Sequence, residues 1–417
     1  MSPRGGFVAL IVADIVSALG SRISLVAIPW LVLTTTGSPT DMGLVSAAEM
    51  IPYLLSSMLL TPLADRLGLR ATSIGCDTLS ALAVGCIAAF RHGGLGWLLV
   101  LVALAGALRG IGDRTKHVLL RPAAQAAGYS MIRVTSVYEG LTRLATLLGA
   151  PLGGLLIYWS GAHGAVWVDA ASFGCCALVL ATLVPGPKHA AEARTSPAVS
   201  VSAMAVSAAA REPYLVALRG GFGYLRGDRV LFTMLVIVFA LNIFASAGTV
   251  IFVPVWVSDV LHSPEALGSM LGAFAGGALL GNLAFTVLAE RLPRYPAFLL
   301  GALISGAPRL VVLAVSHSLP LVLVVTFLSG VGIASVNPIL GVAMYERVPD
   351  ALQTRVIGLC TTVTFAGIPI GSLVGGWSVS RFGLHEAVLG AAVLCLVVTV
   401  APLVGQRRML PTPVGQP

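Results

Sequence analysis

The chain has 417 residues, of which 57% are hydrophobic and only 10% are charged. Soluble globular domains carry roughly 25% charged residues, so this composition cannot cover the surface of a water-soluble protein of this length. The net charge is +8, but the basic residues stand singly or in short clusters between apolar runs. Because no basic stripe with interleaved aromatic residues is present, we expect no nucleic-acid partner.

The residues that usually carry enzyme chemistry are not arranged in recognisable motifs. All six cysteines lie inside apolar runs without C-x-x-C spacing, and the seven histidines form no H-E-x-x-H or similar cluster. No glycine-lysine loop for ATP is found. We therefore expect no metal, no cofactor and no enzymatic activity, and we expect the cysteines to pack as small apolar side chains.

Apolar runs long enough to cross a bilayer recur twelve times along the chain. A bilayer core of roughly 30 Å needs about 20 apolar residues in a helix. The first run is too long for a signal peptide and lacks a convincing cleavage site, so we expect it to be retained. The predicted spans are residues 7–34, 41–63, 72–91, 96–119, 136–159, 164–184, 230–257, 265–289, 296–316, 319–344, 356–378 and 385–404. The sequence thus predicts an all-α protein embedded in the lipid bilayer.

One long polar interruption, residues 185–229, separates the sixth and seventh spans. It begins with Pro185-Gly186-Pro187, is rich in alanine and serine, and ends in a segment that predicts an amphipathic helix on the membrane surface. It is too short for a domain of its own. The predicted organisation is a six-helix half at 1–184, a linker at 185–229, a second half at 230–405 and a tail at 406–417.

The distribution of lysine and arginine in the loops predicts the orientation. Loops on the amino-terminal side of the membrane hold nineteen of these residues, and the opposite loops hold only Arg91 and Arg381. Because basic residues accumulate on the cytoplasmic side, we expect a multi-pass protein of the cell membrane with both termini in the cytoplasm.

An internal repeat relates the two halves. Residues 38–67 align with 263–292 at a constant offset of 225, and eleven of the thirty positions are identical. A shorter agreement, at an offset of 218, relates the glycines and proline of 149–153 to those of 367–371. In both copies of the longer repeat an acidic residue and an arginine follow the span, which a shared apolar bias does not produce. The two pairs are Asp65-Arg66 and Glu290-Arg291. The repeat predicts two parallel six-helix halves.

Three segments carry a resemblance to a known family. The loop 63–70 resembles the signature G-x-L-A-D-R-x-G-R-K of the major facilitator superfamily, with Thr61 in place of its first glycine and Leu69 in place of a basic residue. Residues 149–154 resemble that family's antiporter motif G-P-x-x-G-G, with an alanine in place of one glycine. The segment 17–29 is similar to the branch that contains macrolide-efflux and enterobactin-export proteins. We identify the chain, by this resemblance, as a member of the superfamily.

The resemblance implies transport by alternating access, with a cytoplasmic gate whose contacts break and re-form. An acidic residue at a helix end can face the positive amino terminus of another helix as well as nearby arginines. The residues expected at this gate are Asp65, Arg66, Gly68, Arg70, Asp77, Asp113, Glu290 and Arg291. The fifth span should bend and approach a facing helix closely, which limits leak. Its motif residues are Gly149, Pro151, Gly153 and Gly154.

Charges inside the spans point to the coupling site. A charge at the bilayer centre costs about 2.5–3.5 kcal/mol on insertion scales, so it normally faces a cavity or a partner. Of nine charges in or near the spans, eight lie in the first half, and Arg309 is the exception. Glu49 is favoured as the proton carrier because no basic residue lies within one turn of it in sequence. The candidates for proton coupling or the substrate cavity are Asp14, Arg22, Glu49, Arg109, Arg143 and Asp169.

We therefore expect a monomeric secondary transporter, most simply a proton-coupled exporter of a small amphipathic organic compound such as an antibiotic, drug or siderophore. One alternative is an importer of a nutrient or metabolite on the same fold. A membrane enzyme should show clustered histidines or carboxylates, and a sensor usually carries a soluble output domain. Each buried charge has its own alternative, a static ion pair that only stabilises the fold.

Overall fold

The computed structural model describes residues 3–59, 68–89, 94–183, 222–263, 265–289 and 291–405. All regular structure in these residues is helical. The helices are α1 (Pro3–Thr36), α2 (Pro39–Leu59), α3 (Leu69–Ala89), α4 (Leu95–Ala126), α5 (Met131–Leu183), α6 (Arg229–Ser246), α7 (Val253–Trp256), α8 (Glu265–Leu288), α9 (Arg294–Ser305), α10 (Ala307–Val315), α11 (Leu319–Arg347), α12 (Asp350–Phe382) and α13 (Leu384–Gly405). Two π-helices, Ala247–Phe252 and Val257–Leu261, flank α7.

Eleven helical stretches in the described residues are long and apolar enough to cross a membrane. One of them, Arg133–Leu183, has 51 residues, which is about 77 Å of helix and more than twice a bilayer core of roughly 30 Å. This stretch is interrupted at Gly161, whose backbone (φ 71°, ψ 171°) is not helical. It therefore forms two arms, and the prediction of a twelve-span, all-helical membrane protein is confirmed.

Helix boundaries follow ordinary local signals. Gly37 has a positive φ of 65° and donates its N–H to the carbonyl of Leu33, which closes the end of α1. Ser38 then accepts a hydrogen bond from the backbone N–H of Asp41 at 3.2 Å, and Pro39 occupies the first helical position of α2. The repeated Ser-Pro pair at 263–264 stands immediately before α8, at the position the alignment predicts.

The described residues fall into two compact units. The first comprises the described residues of 1–213 with 257–272, and the second those of 214–256 with 273–417. In the first unit α1 packs on α5, and α2 and α3 both pack on α4. In the second unit α6 packs on α12, α9 on α11, and α10 on α13. The predicted division at 184 and 230 differs from these units, chiefly at 257–272, and stays a prediction.

Close backbone approaches recur at equivalent positions of the two units. A Cβ atom added to Gly153 would lie 3.3 Å from the carbonyl oxygen of Ile23 on α1. A Cβ atom added to Gly371 would overlap the carbonyl oxygen of Ile243 on α6. The glycines are 218 residues apart and the isoleucines 220, so both units use the same contact between equivalent helices. Small residues at such crossings let two helices in lipid approach closely.

The predicted linker is described only at its end. Residues 185–221 and the tail 406–417 lie outside the described residues, while residues 222–227 are helical. Asp228 accepts hydrogen bonds from the backbone N–H groups of Val230 and Leu231 and pairs with Arg347 at 2.9 Å. Burial alone raises the pKa of Asp228, but the hydrogen bonds from Leu231 and Arg347 outweigh it and hold this pKa below its usual range.

Candidate functional site

The first unit contains a buried ion pair between α2 and α4. Arg109 Nη1 lies 2.7 Å from Glu49 Oε1, and their side chains are 10% and 7% exposed. Gly106, one turn before Arg109, makes this contact possible, because a Cβ atom there would overlap the carbonyl oxygen of Glu49. No basic residue lies within one turn of Glu49 in sequence, yet Glu49 has a basic partner in the fold. Tertiary packing supplies a cation from a residue sixty positions away in sequence.

A second polar contact lies one turn further along the same two helices. The hydroxyl group of Tyr53 donates to Asp113 Oδ2 at 3.3 Å, and Arg109 Cζ lies 5.1 Å from the centroid of the Tyr53 ring. Arg109 thus touches a carboxylate on one side and an aromatic face on the other. These four residues, Glu49, Tyr53, Arg109 and Asp113, form two polar rungs between α2 and α4.

A lysine that the sequence analysis did not select joins three helices. Lys116 Nζ lies 3.2 Å from Asp14 Oδ1 and 3.1 Å from Asp77 Oδ1, and the lysine side chain is 2% exposed. The hydroxyl group of Tyr138 donates to Asp14 Oδ2 at 2.6 Å. Lys116 is one of the nineteen basic residues assigned to loops in predicting the orientation, and the structure places it inside α4, which continues to Ala126.

Asp169 is a buried carboxylate without a cation at ion-pair distance. Its side chain lies on the second arm of α5 and is 1% exposed. Ser172 Oγ donates to the Asp169 carbonyl at 2.8 Å and lies 3.4 Å from its Oδ1. Gly20 on α1 leaves room for the carboxylate, because a Cβ atom there would lie 2.7 Å from Oδ1. Among the described residues, no Lys or Arg nitrogen lies within ion-pair distance of Asp169.

Arg109 is the cation that several carboxylates share. It interacts electrostatically with Asp113 and Asp169 as well as with its partner Glu49. Arg22 belongs to the same neighbourhood, since it interacts with Arg109 and Glu49. Four predicted coupling residues therefore lie in one neighbourhood: Arg22, Glu49, Arg109 and Asp169. A fifth, Asp14, pairs with Lys116 instead.

Arg143 is not part of these buried contacts. It is exposed on the first arm of α5 and makes no ion pair within the described part of the chain. Its role in a substrate cavity stays a prediction.

The antiporter-like motif packs at two close contacts of the first unit. A Cβ atom on Gly149 would overlap the Cβ of Arg22, so this glycine admits the base of the arginine side chain. On the next turn, a Cβ atom on Gly154 would overlap the backbone of Gly268. A Cβ atom added to Gly268 would lie 3.1 Å from the carbonyl oxygen of Pro151. The predicted close approach of this helix is present, whereas its role in limiting leak stays a prediction.

The predicted gate is only partly described, and its described members do not form one cluster. Arg70 donates from Nη2 to the carbonyl of Ala181 at 2.7 Å and from Nε to that of Leu180 at 3.3 Å. A basic side chain there also meets the negative carboxyl end of α5. Asp77 pairs with Lys116 and Asp113 with Tyr53, as above. The remaining described members are Gly68, with a positive φ of 90°, and the exposed Arg291. Asp65, Arg66 and Glu290 lie outside the described residues.

Twelve apolar helical stretches in a repeated arrangement, with ion pairs buried between the helices of the first unit, define a polytopic transporter-like membrane protein. A profile of the Major Facilitator Superfamily matches residues 10–267 and again residues 235–416. The chain belongs to this superfamily, a family of transporters, and the predicted resemblance is confirmed.

Relatives and solved structures agree with this assignment. "Multidrug efflux pump Tap" of Mycobacterium tuberculosis is 31% identical over 398 residues, covering 94% of this chain and 91% of the relative. "Multidrug efflux pump Tap" of Mycolicibacterium fortuitum is 30% identical over 404 residues, covering 95% of each. The crystal structure of the nucleoside transporter NupG superposes with a TM-score of 0.77 at 14% identity, covering 96% and 98% of the two chains. That last likeness concerns the fold alone.

Proposed function

We propose that the chain exports small amphipathic organic compounds and drives export with protons. Support for the direction comes from the two relatives named as multidrug efflux pumps and from the antiporter-like motif at 149–154. Support for a lipophilic cargo comes from the apolar composition of the spans. We further propose that the protein acts as a monomer in the cell membrane, with both termini in the cytoplasm, because the loop charges favour that orientation.

Proton coupling is supported by an imbalance of buried charge in the first unit. Five carboxylates lie within its described spans, whereas three cations, Arg22, Arg109 and Lys116, interact with them. An ionised carboxylate in a low-dielectric interior is costly unless a cation accompanies it. Because three cations cannot accompany five ionised carboxylates, we propose that protons occupy part of this set. The carboxylates are Asp14, Glu49, Asp77, Asp113 and Asp169.

The proposed step is an exchange of partners around Arg109. A proton that binds Glu49 breaks its ion pair at 2.7 Å and frees Arg109 for Asp113 or Asp169, which already share its field. When the proton leaves, the original pair re-forms. Because the pair joins α2 to α4, protonation changes the contact energy between these two helices. Glu49 and Asp169, both among the candidates predicted from the sequence, are the proposed proton-binding residues, and the burial of Asp169 without a cation at ion-pair distance favours it.

The test uses isosteric neutral variants and one matched control. Purified protein in liposomes receives an amphipathic dye, and its uphill transport is driven by an imposed pH gradient. We expect Glu49→Gln and Asp169→Asn to abolish uphill transport while exchange of dye down its gradient continues. Glu139→Gln, which removes an exposed carboxylate of α5, should transport like the parent protein.

Two results would contradict the proposal. Uphill transport that persists unchanged in both variants would show that the proton is carried elsewhere. The second result comes from an efflux-deficient host that expresses the protein. If expression does not lower the accumulation of cationic, neutral or anionic dyes, the proposal that the protein is an exporter is refuted. An uncoupler added to the expressing cells should restore accumulation to the level of the host.

A further inference from the structure

The second unit contains a buried arginine without an acidic partner. Arg309 lies in the first turn of α10 and is 8% exposed. Its Nε atom has no hydrogen-bond partner, and no carboxylate within the described residues lies at ion-pair distance. The guanidinium instead lies over an aromatic ring, with Cζ 5.3 Å from the centroid of Phe274. An aromatic face attracts a cation but does not neutralise its charge.

The sequence of the second half contains no acidic residue that can reach the middle of a span. Between residues 230 and 405 the acidic residues stand at or near helix ends or in loops. They are Asp259, Glu265, Glu290, Glu346, Asp350 and Glu386. Arg309 lies fifteen residues after Arg294, about 22 Å along the helical path, and six residues before Val315, about 9 Å. A counter-charge for Arg309 therefore has to come from outside the spans of its own unit.

The repeat shows that the two halves differ in charge at one equivalent position. At the offset of 225, Phe274 of the second unit corresponds to Glu49 of the first. Both lie at the same helix crossing, because Gly106 approaches the carbonyl oxygen of Glu49 and Gly330 that of Phe274. In the first unit this position supplies the anion for a buried arginine. In the second it supplies only a ring, and an arginine from another helix lies against that ring.

The backbone around Arg309 is broken on both sides of the contact. Gly306 separates α9 from α10, so Arg309 sits at the positive amino-terminal end of a half-helix. Opposite it, Gly248 lies in the π-helix Ala247–Phe252, and a Cβ atom there would lie 3.0 Å from Arg309 Nη2. Interrupted helices and π-helical turns at membrane depth are common where transporters bind their substrates.

We propose that Arg309 binds the carboxylate of a lipophilic organic acid, held against Gly248 and Phe274. The free donor, the half-helix end and the missing internal anion all favour a negative group at this point, and the aromatic ring and Leu310 favour an apolar body attached to it. That the acid is a transported compound rests on the proposed function. Binding itself is measurable without transport, so the two proposals can fail separately.

The experiment compares probes that share one apolar body. Purified protein in phosphatidylcholine nanodiscs is titrated with 1-pyrenebutyrate, 1-pyrenebutanol and 1-pyrenebutylamine, and binding is read from pyrene fluorescence. The parent protein should bind the acid more tightly than the alcohol or the amine. Arg309→Met should weaken acid binding by about tenfold or more, the loss expected for one charge-assisted hydrogen bond, and leave alcohol binding unchanged. Arg309→Lys should keep part of the preference.

The control variant is Arg294→Gln, which removes a cation that is 62% exposed and paired with Glu346 and should leave all three affinities unchanged. Thermal stability supplies an independent readout. Since an unpaired buried charge is unfavourable, Arg309→Met should raise the midpoint of the ligand-free protein, whereas a merely structural arginine would lower it. If Arg309→Met does not fold, Gly248→Ala keeps the charge, crowds Nη2 and should still weaken binding of the acid.

Three outcomes would overturn the proposal. The first is equal binding of acid and alcohol by the parent protein, and the second is full acid binding by Arg309→Met or Gly248→Ala. The third is displacement of the acid by phosphatidylglycerol added to the nanodiscs, which would make a lipid headgroup the occupant. If one of these outcomes is found but the protein still exports dye, the proposed function stands and only the acid site is refuted. If the protein binds the acid but exports no dye, only the proposed function is refuted.

Discussion

Removal of Lys116 should damage the fold far more than removal of either of its acidic partners. The lysine carries one positive charge between two carboxylates, at 3.2 Å from Asp14 and 3.1 Å from Asp77. With all three groups ionised, the cluster has a net charge of −1. Lys116→Met makes the net charge −2 in a site that is almost fully buried. Asp77→Asn makes it zero and leaves one complete ion pair.

The magnitudes follow from this arithmetic. Breaking a buried ion pair by removing one partner costs about 3–5 kcal/mol, because the remaining charge is stranded. We expect Lys116→Met to reach this range. Asp77→Asn should cost less, since Lys116 keeps its ion pair with Asp14 and no charge is left without a partner. The double variant should recover about half of the loss, because only Asp14 then remains uncompensated.

The assay is unfolding of the purified protein by SDS in mixed micelles, followed by tryptophan fluorescence, with the free energy of unfolding compared among the three variants. The order Asp77→Asn, double variant, Lys116→Met, from most to least stable, supports the charge argument. Equal losses for Asp77→Asn and Lys116→Met would refute it and would indicate that packing volume, not charge, holds these helices together.

Three further predictions concern the gate, the linker and the topology. Asp65→Asn should lower transport at unchanged protein level. Glu290→Gln should lower it less, because the second-half motif lacks a glycine that corresponds to Gly68. Full transport by both variants would show that these acidic residues contribute only to membrane topology. Asp228→Asn keeps a capping side chain but removes the charge paired with Arg347, and should cost about 0.2–1 kcal/mol of unfolding free energy at neutral pH. Because the pKa of the folded state is lowered, this difference should vanish as the pH falls through that pKa, and a pH-independent difference would contradict the assignment. A cysteine tag at Ser200 should resist an impermeant reagent in intact cells and one near His163 should react; labelling at Ser200 would reverse the orientation.

The fold was predictable because its signals are local or repeated. Each span is set by about twenty apolar residues, and helix starts such as Pro39 follow a serine cap that the sequence shows directly. The break in α5 lies at Gly161, between the two predicted spans 136–159 and 164–184. The repeat at an offset of 225 then relates the halves without any knowledge of their packing.

The partners inside the site were not predictable, because they depend on which helices cross and at what height. Glu49 and Arg109 are sixty residues apart, and the close approaches of Gly106 and Gly110 bring their helices near enough to pair. Glycines are common in such chains, which contain 47 of them here, so these two glycines carried no specific signal. Lys116 was misplaced for a different reason. Its charge was counted as a loop charge, although burial between two acids allows it to sit inside a helix.

Two equivalent glycines can separate the role of the ion pair from the role of packing. A Cβ atom on Gly106 would overlap the carbonyl oxygen of Glu49, and one on Gly330 would overlap that of Phe274. Neither backbone oxygen can move without its helix, so Gly106→Ala and Gly330→Ala should each cost about 1–3 kcal/mol of unfolding free energy.

Their effects on transport should differ. The alanine at position 106 pushes α2 away at the residue that pairs with Arg109, so it lengthens the ion pair proposed to respond to protons. The alanine at 330 pushes α8 away at Phe274, which carries no charge. Uphill dye transport per folded molecule should therefore fall strongly in Gly106→Ala and remain near the parent level for a neutral dye in Gly330→Ala. If both variants lose transport in proportion to stability, the crossing matters only as packing. The exchange of partners around Arg109 would then lose its structural support.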